Sequence, residues 1–208
     1  MPLNHQNQYT QLTEAHFQAI GKIVVEWSNI EYLLGFILRR LSFNDFLGRS
    51  FIERMNASQV SGAINDALDI HLNRYSGAIV DKQVLLDIKE TKGEIENLRK
   101  IRNKISHLCW MRSDDETIFG AKLSEEAHHD DKNSFKISLQ ELDEYYQSIH
   151  TIVERLQIIA YYHLPTFNDE KVQKMLRFEN SSLKAWGLED IVKMRFHHRI
   201  AKLFIKGG

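Results

Sequence analysis

Apolar residues recur every three or four positions over most of this chain, with polar residues between them. A period of about 3.6 residues is typical of amphipathic helices, whereas strict alternation would indicate strands. The pattern predicts four long helices, at about residues 13–41, 57–72, 81–107 and 138–163. The 208 residues include two prolines and ten glycines. This low number of helix breakers also favours long helices over many short strands.

Residues that commonly cap helices mark the ends of these segments. Thr13 is a predicted N-cap, Asp81 is predicted to open the third helix, and Ser138 with Glu141 has the spacing of a capping box. Pro165 is expected to end the fourth helix, because a proline disfavours helical geometry in the residue before it. Two shorter helices are predicted after it, at about residues 170–178 and 182–204.

The segment 108–137 breaks the helical pattern, because turn-prone acidic stretches separate its apolar residues. We predict an irregular insertion that contains a short β-hairpin, with residues 109–112 paired against 117–122. The fold class predicted for the whole chain is all-α. It is divided into a polar N-terminal segment (1–12), a helical bundle (13–163) and a basic C-terminal helical extension (164–208).

The composition is that of an ordinary globular protein, with 43% apolar and 26% charged residues. The polar N-terminal segment has no apolar stretch of the secretory-signal type, and no apolar run approaches the ~20 residues of a membrane span. Cys109 is the one cysteine, so no intrachain disulfide can form. We therefore expect a cytoplasmic protein that does not enter a membrane.

The charge is close to neutral overall but uneven along the chain. A formal net charge of −1 excludes a protein that is basic all over and binds nucleic acid by charge alone. Residues 171–208, however, carry nine Lys or Arg and three acids. This tail is either a surface for a polyanion or a solvated basic helix.

Two charged residues occupy positions where the helical pattern expects apolar ones. Glu31 lies on the apolar face of the first predicted helix, and Arg102 lies on that of the third. In an up–down bundle these two helices run parallel, and at 1.5 Å per residue the two positions reach heights of roughly 27 and 32 Å. We predict that Glu31 pairs with the Arg102 guanidinium and orients it. In the alternative, each side chain extends to solvent near its helix end.

Arg102 also begins the motif Arg102-Asn103-Lys104-Ile105-Ser106-His107, an arginine and a histidine separated by four residues. This motif ends a long amphipathic helix. The first helix carries Trp27, Ile30, Glu31 and Leu34 in the spacing W-x-x-(I/L)-E-x-x-L. Over about residues 13–163 the chain resembles the HEPN superfamily, whose signature is R-x4–6-H with a polar residue after the arginine.

The resemblance implies an up–down four-helix bundle that dimerises through the motif helices, so that two Arg–His pairs share one cleft. It also implies metal-independent cleavage of RNA. In that reaction His107 would be the general base for the ribose 2′-hydroxyl or the acid for the leaving oxygen. Arg102 would stabilise the transition state, and Asn103 would orient groups or donate a hydrogen bond. A toxin or anti-phage effector, with an antitoxin or regulatory protein as partner, is the role that the resemblance implies.

These residue types suit RNA cleavage. RNA supplies its own nucleophile, so a proton shuttle near neutral pH and a guanidinium facing the anionic phosphorus are sufficient. Five residues of helix, however, separate Arg102 from His107 by about 140° and 7.5 Å. A site built across a two-fold axis would bring them together, and so would a His107 placed where the helix frays. On this ground we predict a homodimer. Arg99, Lys100 and Lys104 surround the motif and are predicted to bind the RNA backbone. Alternatively, they complement the helix dipole.

No phosphate-binding loop, nucleophile elbow or zinc-finger spacing occurs in the sequence. We accordingly predict neither a metal nor a cofactor. Two other classes of protein stay open beside the ribonuclease. One is a non-catalytic HEPN module that binds nucleic acid or nucleotide. The other is a helical interaction protein in which Glu31 and Arg102 form only a structural ion pair.

Overall fold

Five α-helices and one small antiparallel sheet make up the parts of the chain that the computed structural model describes, residues 12–43, 52–112, 114–121 and 135–185. The chain divides into two units, Met1–Leu164 and Pro165–Gly208. The first unit contains α1 (Glu14–Leu41), α2 (Ala57–Asn73), α3 (Lys82–His107) and α4 (Leu139–Ile158). The four long helices predicted from the periodicity are therefore confirmed, and the protein is mainly helical.

Side-chain N-caps are present at three of these helices, and those at Thr13 and Ser138 were predicted as caps. Thr13 and Ser138 accept hydrogen bonds from backbone N–H groups three residues on, and Asp81 accepts one from Gln83 at 2.7 Å. The Glu141 carboxylate accepts the Ser138 N–H in return at 2.7 Å, which completes the predicted capping box. Because these signals involve residues close in sequence, they fix where each helix begins.

The fourth helix changes its hydrogen-bond pattern before it ends. Ile159–His163 forms one π-helical turn, and the Leu164 N–H donates to the Ile159 carbonyl at 3.1 Å. Leu164 itself is extended, as expected for the residue before Pro165. The sequence correctly predicts the end of the helical segment but gives no sign of the π turn.

The insertion forms a three-stranded antiparallel sheet in the order β1 (Cys109–Arg112), β2 (Thr117–Ala121) and β3 (Phe135–Ser138). The predicted hairpin of β1 and β2 is confirmed, whereas β3 was not predicted. The chain is mainly helical, as expected, with a small sheet in the insertion. β3 pairs with β2 because Ile118 and Ile137 lie opposite each other and are both buried. The sheet therefore adds a small apolar layer to the helical core.

Trp110 joins this sheet to the end of α3. Its Nε1–H donates to the Ile105 carbonyl at 2.9 Å, and its ring meets that of Phe135 with centroids 6.2 Å apart. The bond satisfies a carbonyl in the last turn of α3, where no helical partner exists. Trp110 thus has a structural role at the end of the motif helix.

The buried face of α1 agrees only in part with the apolar periodicity of the sequence. Ile23, Ile30 and Ile37 are fully buried, whereas Phe17 and Val24, which also lie at helical spacing from the apolar residues of α1, are exposed. The reason is that α1 packs against both α2 and α4, so that its buried face is centred on the isoleucines. Trp27, Leu34, Leu38 and Leu41 are buried as well. The apolar residues of α1 outnumber those that one face can bury, and the sequence pattern identifies only part of the buried set.

The second unit contains α5 (Glu170–Ala185). The predicted break between residues 178 and 182 is wrong, because the helix continues through this stretch, which contains neither glycine nor proline. The rest of the predicted helix at 182–204 lies outside the described residues. So do most of the basic tail and all but the last residue of the segment 1–12.

Candidate functional site

The contact predicted between Glu31 and Arg102 is present in the structure. Arg102 Nη2 lies 3.8 Å from Glu31 Oε1, and Trp27 Nε1–H donates to the same oxygen at 2.9 Å. The guanidinium carbon of Arg102 is 5.8 Å from the centroid of the Trp27 ring. A buried tryptophan therefore fixes the carboxylate, and both groups together hold the arginine against α1.

Neither charge is in the core, contrary to the expectation from the pattern. The Arg102 side chain is 30% exposed and that of Glu31 is 42% exposed. Both lie at the margin of the interface between α1 and α3. Water hydrates both charges there, so their desolvation cost is small. An ion pair this exposed contributes between about 0 and 1 kcal/mol. Stability alone therefore does not explain why these two residues meet.

Arg102 keeps most of its hydrogen-bonding capacity. Arg102 Nη2 is 3.8 Å from Glu31 Oε1, the oxygen that accepts from Trp27, and this distance is too long for a hydrogen bond. Among the residues that the structure describes, the guanidinium makes one hydrogen bond, from Nη1 to Asn103 Oδ1 at 3.4 Å. A guanidinium has five N–H donors. The group is thus oriented on one side and free to bind an anion on the other.

The backbone around Arg102 is anchored from α4. Tyr145 is buried and donates its hydroxyl hydrogen to the Leu98 carbonyl at 2.9 Å, one turn before Arg102. Burial raises the pKa of Tyr145 above its usual range, so it remains a neutral donor. This bond positions the last turns of α3 against α4.

His107 is exposed and is the last residue of α3. Within the described ranges it makes no hydrogen bond or ion pair. The helix stays regular up to this residue, so it does not fray in a way that could turn the imidazole towards Arg102. Asn103 shares the face of His107, at i and i+4, whereas the Arg102 side chain extends towards Glu31 and Trp27 on α1. One copy of the chain therefore does not bring Arg102 and His107 together.

The three basic residues around the motif have different surroundings. Arg99 pairs with Glu96 at 3.1 Å, and Lys104 Nζ lies 4.3 Å from the centroid of the Phe135 ring. Lys100 and Lys104 are exposed, and Arg99 is half-buried. Lys100 and Lys104 can therefore attract a polyanion, while Arg99 faces a cavity.

That cavity, of about 130 Å³, lies between α1, α2 and α3. Its wall is mostly apolar, and Glu31 and Arg99 are its charged residues. Glu31 therefore lines the cavity and also contacts the Arg102 guanidinium. The sequence pattern did not predict this cavity, because its wall is assembled from three helices and residues 52–55.

A second polar cluster, on the opposite margin of α1, was also missed. Glu26, 8% exposed, accepts hydrogen bonds from Asn29 Nδ2 at 2.7 Å and pairs with His150 Nδ1 at 2.5 Å. The other ring nitrogen of His150 is 3.6 Å from Glu154, and the ring stacks on Tyr146. The sequence signal was available: a glutamate next to Trp27 and a histidine on the edge of the apolar face of α4.

This cluster predicts a pH dependence of stability. The hydrogen bond with Glu26 raises the pKa of His150 above its ordinary value, and the charge of Glu154 adds to this effect. A raised folded-state pKa means that the contribution is complete below the unfolded-state pKa of about 6.5 and is lost as pH rises through the folded-state value. We expect the free energy of unfolding of wild type to exceed that of His150→Gln at low pH, with the difference shrinking as pH rises.

Urea titrations of both proteins between about pH 5.5 and 9 measure that difference. The pH dependence of wild type alone would be ambiguous, because a second histidine acts in the opposite direction. Burial lowers the pKa of His71, so its contribution makes stability fall as pH falls. The comparison with His150→Gln isolates His150. His71 is unchanged in both proteins, so its contribution cancels. A difference that is constant or grows with pH would contradict the assigned role of His150.

No protein-family model, no curated protein and no solved structure matches the chain. No helix in the described ranges is long and apolar enough to cross a membrane. In the same ranges, no group of three or more His, Cys, Asp or Glu side chains is arranged to hold a metal ion.

Proposed function

We propose that the chain is a metal-independent endoribonuclease of the HEPN type, in which α1 to α4 form an up–down four-helix bundle. The observation that carries the proposal is the state of Arg102. Its guanidinium is oriented by Glu31 and Trp27, is partly exposed, and has donors left for a phosphate. It lies five residues before an exposed histidine at the end of the same helix.

The chemistry assigns one role to each motif residue. His107 takes the proton from the ribose 2′-hydroxyl, whose oxygen attacks the adjacent phosphorus, or gives a proton to the 5′-oxygen that leaves. Arg102 donates hydrogen bonds to the phosphate oxygens as negative charge builds up on them. Asn103, hydrogen-bonded to Arg102 and on the same face as His107, orients the two groups. The products are a 2′,3′-cyclic phosphate and a 5′-hydroxyl.

A homodimer completes this site. Since α3 is regular through His107, the histidine of one copy needs the arginine of another. A two-fold axis beside the ends of the two α3 helices places each His107 near the partner's site and forms two such pairs. The exposed Lys100 and Lys104 then extend a basic surface for the RNA backbone. A toxin or anti-phage effector restrained by an antitoxin fits this activity.

The test is incubation of the purified protein with a labelled single-stranded RNA in EDTA. We expect cleavage that leaves 2′,3′-cyclic phosphate ends, and no cleavage of the all-deoxy oligonucleotide, which lacks the nucleophile. His107→Ala should lower the rate at least about 100-fold, the usual contribution of a general acid or base. His163→Ala, at another exposed histidine, is the matched control and should cleave normally.

Each alternative has its own outcome. Cleavage that survives His107→Ala would show that the site is elsewhere or that the activity is a contaminant. Tight RNA binding without cleavage would favour the non-catalytic binding module. Neither binding nor cleavage would favour a helical interaction protein that uses Glu31 and Arg102 as a structural pair.

A further inference from the structure

The cavity beside Glu31 has the size of one aromatic ring. Its volume is about 130 Å³, and its apolar wall includes Trp27, Leu34, Val60 and Ile95. For comparison, an engineered apolar cavity of about 150 Å³ in another protein holds benzene. The space is therefore closer in size to a single six-membered ring than to the fused rings of a purine.

The two charged residues of the wall present complementary groups. Glu31 accepts hydrogen bonds, and its carboxylate has acceptor sites beyond the one used by Trp27. Arg99 donates hydrogen bonds and forms an ion pair with Glu96. Glu96 in turn accepts a hydrogen bond from Ser61 at 3.0 Å. A ligand with a flat apolar body and an edge that carries both a donor and an acceptor satisfies both residues.

Cytosine has such an edge. Its exocyclic amine donates to a carboxylate, a pairing that proteins use to recognise this base. Its ring nitrogen and O2 accept from a guanidinium such as Arg99. Uracil presents a carbonyl where cytosine has the amine, and that carbonyl would face the Glu31 carboxylate. The wall therefore favours cytosine over uracil as well as over purines.

The cavity adjoins the proposed cleavage site. Glu31 contacts both the cavity and Arg102, and Arg99 and Arg102 are neighbours at i and i+3 on α3. We propose that the cavity binds an unpaired cytosine of the RNA while Arg102 binds its phosphate. The inference rests on the proposed function and adds its substrate class, single-stranded RNA cleaved at cytidine.

The test compares binding of cytidine 3′-monophosphate and uridine 3′-monophosphate to the full chain by calorimetry. We expect cytidine 3′-monophosphate to bind at least about tenfold more tightly, as one well-made base contact allows. Ala57→Leu puts a larger side chain into the cavity and should remove this binding. Ser58→Leu adds the same side chain at an exposed position on α2 that does not line the cavity, and should bind normally.

Glu31→Gln provides a second variant if Ala57→Leu does not fold. A carboxamide can turn its NH₂ group towards uracil, so the preference for cytidine should fall to near unity. Equal binding of the two nucleotides by wild type, or binding that survives Ala57→Leu, would overturn the proposal. Selective cytidine binding without RNA cleavage would reject the ribonuclease but keep the pocket. RNA cleavage without a preference for cytidine would keep the ribonuclease and reject the pocket.

Discussion

Mixing two inactive variants, Arg102→Ala and His107→Ala, is expected to restore ribonuclease activity. In a site built across a two-fold axis, a mixed dimer has one damaged site and one intact site, which takes its arginine and its histidine from different copies. If half of the dimers are mixed, the activity should return to about a quarter of wild type. Each variant alone should stay at or below about 1%. The measurement is the RNA cleavage rate after the two proteins are unfolded and refolded together.

Two controls make this result specific. The double variant, with both substitutions in one chain, should lower the activity when it is mixed with an equal amount of wild type, to about half of what the wild type gives alone, because both sites of each mixed dimer are damaged. Cys109 is exposed, is the single cysteine of the sequence, and lies two residues after His107, so a short bismaleimide should link two copies through it. Failure of the mixture to recover activity, in a protein that cleaves RNA, would place Arg102 and His107 in a site within one copy.

The sequence predicted the local features of the fold well. Thr13, Asp81 and Ser138 cap helices because each side chain bonds to a backbone group two or three residues away. The hairpin of β1 and β2 was predictable for the same reason, since a short turn joins its strands. Strand β3 pairs across an insertion of more than a dozen residues. The four residues of β3 carry no local sequence signal that identifies β2 as the strand they pair with.

The candidate site was predicted in part. The meeting of Glu31 and Arg102 followed from their positions on two apolar faces at similar heights. Their partial exposure did not, because periodicity gives the direction of a side chain and not the depth of the surrounding packing. The role of Trp27 as the donor to Glu31 was missed, although the two are separated by four residues. Residues at i and i+4 are neighbours on a helix surface, so this hydrogen bond could have been predicted from the sequence.

Trp27 is the residue through which the fold and the site are most strongly coupled. It is 3% exposed, lines the cavity and donates to Glu31. Trp27→Ala removes a large buried ring and should lower the free energy of unfolding by about 3 to 5 kcal/mol. Urea denaturation followed by circular dichroism measures this loss. A loss below about 1 kcal/mol would mean that the ring is not packed in the core as described.

Trp27→Phe separates packing from hydrogen bonding. Phenylalanine keeps an aromatic ring in place but lacks the N–H, so the loss should be smaller, and the part due to the hydrogen bond should be about 1 kcal/mol. That part depends on Glu31, so a double-mutant cycle of Trp27→Phe and Glu31→Gln should give a measurable coupling energy. If the two substitutions are additive, Trp27 does not fix the carboxylate. The orientation of Arg102 would then need another cause.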